Sequence, residues 1–272
     1  MQLDGAQALV TGAGSGIGRA LSMELARRGT RLILLGRNGA ALEDTRQRLP
    51  DPTAAHVLSL DLGDSKARRG IADHVTALYG GLDLLVNNAG VVDAAPLADQ
   101  DEDAWRRMLE INLLAPMAIT RQLLPLLQAS GQGRVVNVGS MFGDIAFPFF
   151  AAYSASKFGL RGWSEALRRE AADLGVGVTY CAPRGTRTPA AEGFAGYAEA
   201  FRMRLDAPER VARRIVDGIV RDARDVYPRG PERLFLMIQR LFPAQVDKGV
   251  IRQMRSALAD VRMTSASWSK LS

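Results

Sequence analysis

A doubly wound α/β domain, with a seven-stranded, mostly parallel sheet and helices on both faces, is the fold class this sequence predicts. Three observations predict it. Short apolar runs alternate with helix-length amphipathic stretches from residue 7 onward, a glycine-rich turn joins the first run to the first helix, and 47% of the 272 residues are apolar, ample for a packed core. No internal repeat, low-complexity tract or Gly/Ser/Pro linker interrupts the chain. One domain is therefore expected over residues 1–230, with 231–272 as a helical extension of the same domain.

Taken in order, "QALVT" (7–11) is the first strand, followed by a helix over 16–28. "RLILL" (31–35) precedes a helix over 40–49, "HVLSL" (56–60) one over 64–79, and "LDLLV" (82–86) a long one over 101–129. "RVVNV" (134–138) leads to a helix over 150–174 and then to "GVTYC" (177–181). Strands so nearly free of polar positions suit a parallel sheet covered on both faces. Beyond "CAPRGTRTP" the rhythm changes: 190–206 and 208–222 read as helices and "DVYP" (225–228) as a short last strand.

Composition narrows the function classes. A single cysteine, Cys181, excludes an internal disulfide and any Cys-rich metal site, and fits a reducing, cytoplasmic compartment. The N-terminus lacks a basic segment followed by an apolar run with a cleavage site, and no apolar stretch approaches the roughly 20 residues that span a bilayer, so a soluble protein is expected. His56 and His74 are the only histidines and neither carries a metal-ligand or triad pattern, so no metal is expected. The net charge of +6 lies in residues 208–272, with 13 Lys+Arg against 7 Asp+Glu, while the rest balances at 22 against 22. A solvated helical face explains that surplus without nucleic acid.

The turn is "TGAGSGIG" (11–18). It follows a strand and opens a helix, where glycines let backbone N–H groups and the helix N-terminus approach a pyrophosphate. It does not fit G-x-G-x-x-G in any frame; Gly12, Gly16 and Gly18 follow G-x-x-x-G-x-G instead. At this point the sequence resembles the short-chain dehydrogenase/reductase family, whose cofactor loop reads T-G-x-x-x-G-x-G on a Rossmann-type fold. The resemblance covers residues 5–188 closely, and it implies cofactor contacts by Gly12, Ser15, Gly16, Ile17 and Gly18.

NAD-specific folds place an acidic residue at the end of the second strand to bind the ribose 2′-hydroxyl. Here no carboxylate appears before Glu43; Gly36 stands where the family's NAD-selective aspartate falls, and Arg37 follows. A guanidinium suits a 2′-phosphate, so NADP(H) is expected over NAD(H). "LDLGD" (60–64) matches the family segment whose aspartate, Asp61, meets the adenine, with Leu62 beside it. "NNAG" (87–90) matches the motif closing the fourth strand and implies Asn87, Ala89 and Gly90 as further cofactor residues.

Tyr153 and Lys157 stand at Y-x-x-x-K spacing, one helical turn apart on one face, where a cation beside a phenol favours the phenolate. Ser140, thirteen residues upstream at the end of "RVVNVGS", stands in the register of the family's catalytic serine. The resemblance implies that Ser140 hydrogen-bonds the substrate oxygen, Tyr153 exchanges the proton, and Lys157 lowers the tyrosine's pKa and binds the nicotinamide ribose. Asn112, in "EINLLAP", matches a fourth catalytic position whose carboxamide holds a water in a relay to the lysine. The expected reaction is hydride transfer between NADP(H) and a carbonyl or alcohol. The rival is a non-catalytic NADP(H)-binding sensor or scaffold, against which the intact set of four speaks.

The family pattern P-G-V/I-T bends here to Pro183-Arg184-Gly185-Thr186-Arg187-Thr188. Pro183, Thr186 and Thr188 are expected to contact cofactor, while Arg184 and Arg187 face its phosphate, an anionic substrate group or water. Phe142, Ile145, Phe147, Phe149 and Phe150, together with a variable lid over 189–206, predict a largely apolar ketone or aldehyde. The extension "RLFLMIQRLF" (233–242) carries an apolar stripe at 234, 237, 238 and 241. It reads as a packing helix, as a homodimer or homotetramer contact, or as a peripheral contact with anionic membrane.

Overall fold

The computed structural model describes residues 1–263. Its elements are β1 (Gln7–Thr11), α1 (Gly16–Arg27), β2 (Arg31–Gly36), α2 (Gly39–Gln47), β3 (Ala55–Ser59), α3 (Ile71–Tyr79) and β4 (Leu84–Asn87). They continue with α4 (Glu102–Leu109), α5 (Ala115–Ala129), β5 (Arg134–Val138), α6 (Ala151–Glu170), β6 (Gly177–Cys181), α7 (Pro189–Glu192) and α8 (Ala195–Ala200). Last come α9 (Pro208–Val220), β7 (Asp225–Val226), α10 (Glu232–Leu241) and α11 (Pro243–Met263). The strands form one seven-stranded sheet in the order β3-β2-β1-β4-β5-β6-β7, and every pairing is parallel.

Strand alternation divides the core. Ala8, Val10, Leu32 and Leu34 point to one face and pack under Leu21 and Leu25 of α1 and Ile215 and Ile219 of α9. Leu9, Ile33 and Leu35 point to the other, beneath Ile71 of α3 and Ile119, Leu123 and Leu127 of α5. Because the chain reverses direction along the sheet between β1 and β4, a crevice opens at the carboxyl ends of those two strands.

Two expected helices differ. The stretch 101–129 is not one α-helix: α4 and α5 are joined by a π-helical turn, Glu110–Leu114, where the Ala115 N–H reaches the carbonyl of Glu110. Pro116 follows, and its missing N–H takes away the ordinary partner of the Asn112 carbonyl. The stretch 190–206 holds only the short α7 and α8; the chain then extends back so that Asp206 forms a parallel bridge with Thr186.

Candidate active site

One cavity of about 690 Å³ runs from the glycine loop to the lid. Gly12 (φ +68°) and Gly16 (φ +53°) lie in the left-handed region, and a β-carbon would stand 2.9 Å from the Ala89 Cα at Gly12 and 2.8 Å from the Thr188 Cγ2 at Gly16. No side chain caps the N-terminus of α1. Its unpaired N–H groups and positive dipole end therefore face the cavity wall formed by Ser15, Gly16, Ile17 and Gly18, a fit for a pyrophosphate.

Arg37, Asp61, Leu62, Ala89, Gly90, Pro183, Thr186 and Thr188 also line this cavity. Arg37 is exposed at its rim and makes no ion pair among the described residues. Asp61 holds its own turn by accepting from the Gly63 N–H at 2.8 Å.

Asn87 is a correction. It ends β4 buried in the sheet, donating to Thr120 Oγ1 at 3.1 Å and to Asn137 Oδ1 at 2.9 Å, and is absent from the cavity wall. Strand alternation sends its side chain under α5 and leaves Asn88 to face the loop. Asn88 donates to the Thr11 carbonyl at 2.9 Å, while Thr11 Oγ1 accepts from the Asn88 and Ala89 N–H groups. Thr11 thus welds the glycine loop to the end of β4.

At the far end of the cavity stand Ser140, Tyr153 and Lys157. The Ser140 and Tyr153 hydroxyls are hydrogen-bonded; Lys157 Nζ donates to the Val138 carbonyl at 3.1 Å and lies 5.8 Å from the Tyr153 ring centre. Burial pushes Tyr153 above the ordinary phenol value of 10.0, with the Ser140 bond offsetting part of the rise, and pulls Lys157 from 10.5 down to about 8. Desolvation acts directly on both groups and sets the direction of each shift.

Asn112 is fully buried and does not line the cavity. Its carboxamide is already committed: Nδ2 donates to the Val91 carbonyl at 2.9 Å and to Ser156 Oγ at 3.0 Å, and Oδ1 accepts from the Val91 N–H at 2.8 Å. Ser156 in turn donates to the Tyr153 carbonyl at 2.7 Å. The carboxamide anchors the N-terminal part of α6 to the loop after β4.

Sequence reasoning missed Tyr180. Its ring lies 1% exposed behind the serine loop, and a β-carbon on Gly139 would collide with its hydroxyl, while one on Gly143 would meet that hydroxyl at 2.6 Å. The only signal was the unusual placement of two glycines, Gly139 and Gly143, around Ser140.

Phe142, Phe147 and Phe150 line the cavity beyond Tyr153, together with Phe194 and Phe201 of the lid segment; Ile145 and Phe149 do not. Phe142 stacks on Phe147 at 5.3 Å, and Phe147 meets Phe201 edge-on at 4.8 Å. Phe149 backs this wall against Tyr197 from a left-handed conformation, φ +71°, and the Ala95 N–H holds its carbonyl at 3.1 Å. Arg184 pairs through Nε with Asp206 at 2.8 Å and reaches the Arg229 carbonyl, and Arg187 donates to the Leu205 carbonyl. Both arginines thus serve the return of the lid chain. Among the described residues no cluster holds a metal ion.

A dinucleotide-sized cavity at the switch point of a doubly wound sheet, with a serine, a tyrosine and a lysine at one end, defines a nucleotide-dependent oxidoreductase class. The family model for the short chain dehydrogenase matches residues 6–195. The chain belongs to the short-chain dehydrogenase/reductase family, oxidoreductases that bind NAD(P) and act on small molecules. It is 36% identical over 182 residues to the Bos taurus dehydrogenase/reductase SDR family member 7B, covering 64% of this chain and 56% of that relative. It is likewise 36% identical over 232 residues to a candidate oxidoreductase, SadH, of Mycobacterium tuberculosis, covering 80% and 84%. A crystal structure of a short-chain dehydrogenase from Streptomyces avermitilis aligns with a TM-score of 0.78 at 29% identity, over 94% of this chain and 99% of that one. A Beutenbergia cavernae protein, described as a candidate NAD(P)-dependent gluconate 5-dehydrogenase with NADP bound at low occupancy, aligns at 0.74 and 31%, over 83% and 95%.

Proposed function

We propose that this chain is an NADP(H)-dependent reductase of apolar ketones or aldehydes, able to oxidise the matching alcohols. The observation that carries the reading is one continuous cavity with the glycine loop and Arg37 at one end and Ser140, Tyr153 and an aromatic wall at the other. The bound nicotinamide would supply or accept the hydride. Gly12 to Gly18 would hold the pyrophosphate, Asp61 and Leu62 the adenine side, and Arg37 the 2′-phosphate. Thr186 and Thr188 would hold the nicotinamide, and Lys157 and Tyr153 its ribose.

Ser140 orients the substrate oxygen, and Tyr153 gives it a proton. A phenol held above its ordinary value is protonated at neutral pH, which favours its use as an acid and so the reductive direction. Lys157, at about 8, is mostly an ammonium at pH 7 and stabilises the phenolate that proton donation leaves. The walls of Phe142, Phe147, Phe150, Phe194 and Phe201 exclude water and accept an apolar chain. The buried Cys181 fits a cytoplasmic setting.

A panel of ketones and aldehydes graded by chain length, followed by NADPH oxidation, tests this reading. Activity should rise with apolar length, and Tyr153→Phe should lower kcat by about 10²-fold or more with NADPH affinity kept. Retained turnover in Tyr153→Phe refutes the catalytic assignment. Cofactor binding with no turnover on any carbonyl identifies a sensor instead.

A further inference from the structure

The C-terminal hairpin is built inside out. On α10 the side chains of Leu234, Phe235, Met237, Leu241 and Phe242 are each 52–64% exposed, while the polar Gln239 turns inward and its Oε1 is buried without a partner. An amphipathic helix of a soluble domain buries its apolar stripe; this one shows it to solvent. α11 divides differently. Val246, Met254 and Ala257 pack inward, the last two against the lid cluster of Phe150, Tyr197 and Phe201, and Gln253 donates to the Phe201 carbonyl at 3.0 Å. On the opposite face Lys248, Ile251, Arg252 and Arg255 fall at i, i+3, i+4 and i+7, all exposed, and form one basic stripe around an apolar residue.

We propose that α10 and α11 dock on an anionic phospholipid surface, with the α10 stripe entering the headgroup boundary and Lys248, Arg252 and Arg255 meeting lipid phosphates. The charge decides the occupant. Among the described side chains of the hairpin, Arg240, Lys248, Arg252 and Arg255 face a single acidic group, Asp247. A second copy would bring the same positive excess to the contact, whereas an anionic bilayer brings the opposite sign. α11 also braces the lid from its inner face, so the element that meets lipid is the one that covers the apolar end of the cavity. The lipid contact does not depend on the reaction proposed above.

Sedimentation of the full chain with vesicles of equal parts phosphatidylglycerol and phosphatidylcholine tests the proposal against pure phosphatidylcholine. Binding to the first, weakened by salt, is expected. Replacement of Lys248, Arg252 and Arg255 by Gln should reduce partitioning by about 100-fold, about fivefold for each basic group lost. Leu234→Asp with Leu241→Asp should abolish it. Both variants should keep the NADPH-binding signal and the melting temperature of the parent, which shows that they fold. Equal binding to both vesicle types overturns the electrostatic part. No binding to either overturns the proposal, and a dimer seen by light scattering that Leu234→Asp with Leu241→Asp dissociates then makes the face a contact between copies.

Discussion

Ser140 is placed by residues it does not touch in the sequence. Tyr180 fills the space beneath Gly139 and Gly143, so the end of β5 passes over a buried ring with room for hydrogen alone. Gly139→Ala should therefore displace the Ser140 loop, with an overpacking cost of about 1–3 kcal/mol and a fall in kcat. Adding Tyr180→Ala should recover part of both, which thermal melts and NADPH-coupled kinetics would show; failure of the second change to recover either refutes the packing argument. Arg37 acts more simply. Replacing it with Asp should weaken NADPH by roughly 10- to 100-fold, the value of about 1.5–3 kcal/mol for hydrogen bonds to a charged group, and leave NADH unharmed or improved. Titration of both cofactors decides, and an unchanged preference for NADPH sinks the assignment. At this scale Ser140, Tyr153, Lys157 and the loop glycines are legible in the chain as motifs, because their spacing is local, and the structure brings them onto one cavity. Sequence reasoning misplaced Asn87, because which of two adjacent asparagines faces a ligand depends on where the strand ends, and it missed Tyr180, whose partner lies forty residues away.

The lid is the element whose form the sequence did not yield. A helix over 190–206 would satisfy the apolar spacing, yet the chain leaves α8 and returns beside residues 185–187, where the Asp206 N–H meets the Gly185 carbonyl at 2.8 Å and the Arg187 N–H meets the Asp206 carbonyl at 2.9 Å. The Asp206 carboxylate, 2% exposed, locks that return through Arg184. Asp206→Asn should cost about 2 kcal/mol by weakening this buried pair and should raise KM for apolar substrates more than it lowers kcat. An unchanged KM would show that the pair only stabilises the fold. The π turn at Asn112 belongs to the same class of surprise. Its cause, Pro116, is visible in the chain, but its use, tying α6 to the loop after β4 through Ser156, is a contact between three elements.

For the whole molecule, the buried Lys157 makes stability depend on pH in a calculable sense. Its folded value of about 8 lies below the ordinary 10.5, so the unfolded chain holds the proton more tightly. Below pH 8 both states are protonated and the burial penalty is present in full. Between pH 8 and 10.5 the folded state sheds its proton first, and the penalty is relieved by about 3 kcal/mol. Lys157→Met carries no such proton. Its stability relative to the parent should therefore fall by about that amount as pH rises through this window, read from denaturant midpoints. A constant difference would show that Lys157 is not buried as a charge. No helix among the described residues is long and apolar enough to cross a membrane.

Period and punctuation determined the sheet: alternation of apolar runs with helix-length segments specifies parallel strands, and the glycine loop and the Y-x-x-x-K spacing lie within single turns that the chain itself encodes. Tertiary structure alone decided that Asn112 spends its amide on Val91 and Ser156, that Arg184 guards Asp206, and that α10 leaves its apolar stripe exposed. The physical reason is common to all three. Local pattern fixes which way a side chain can point, whereas its partner is set by what other elements, distant in sequence, place opposite it.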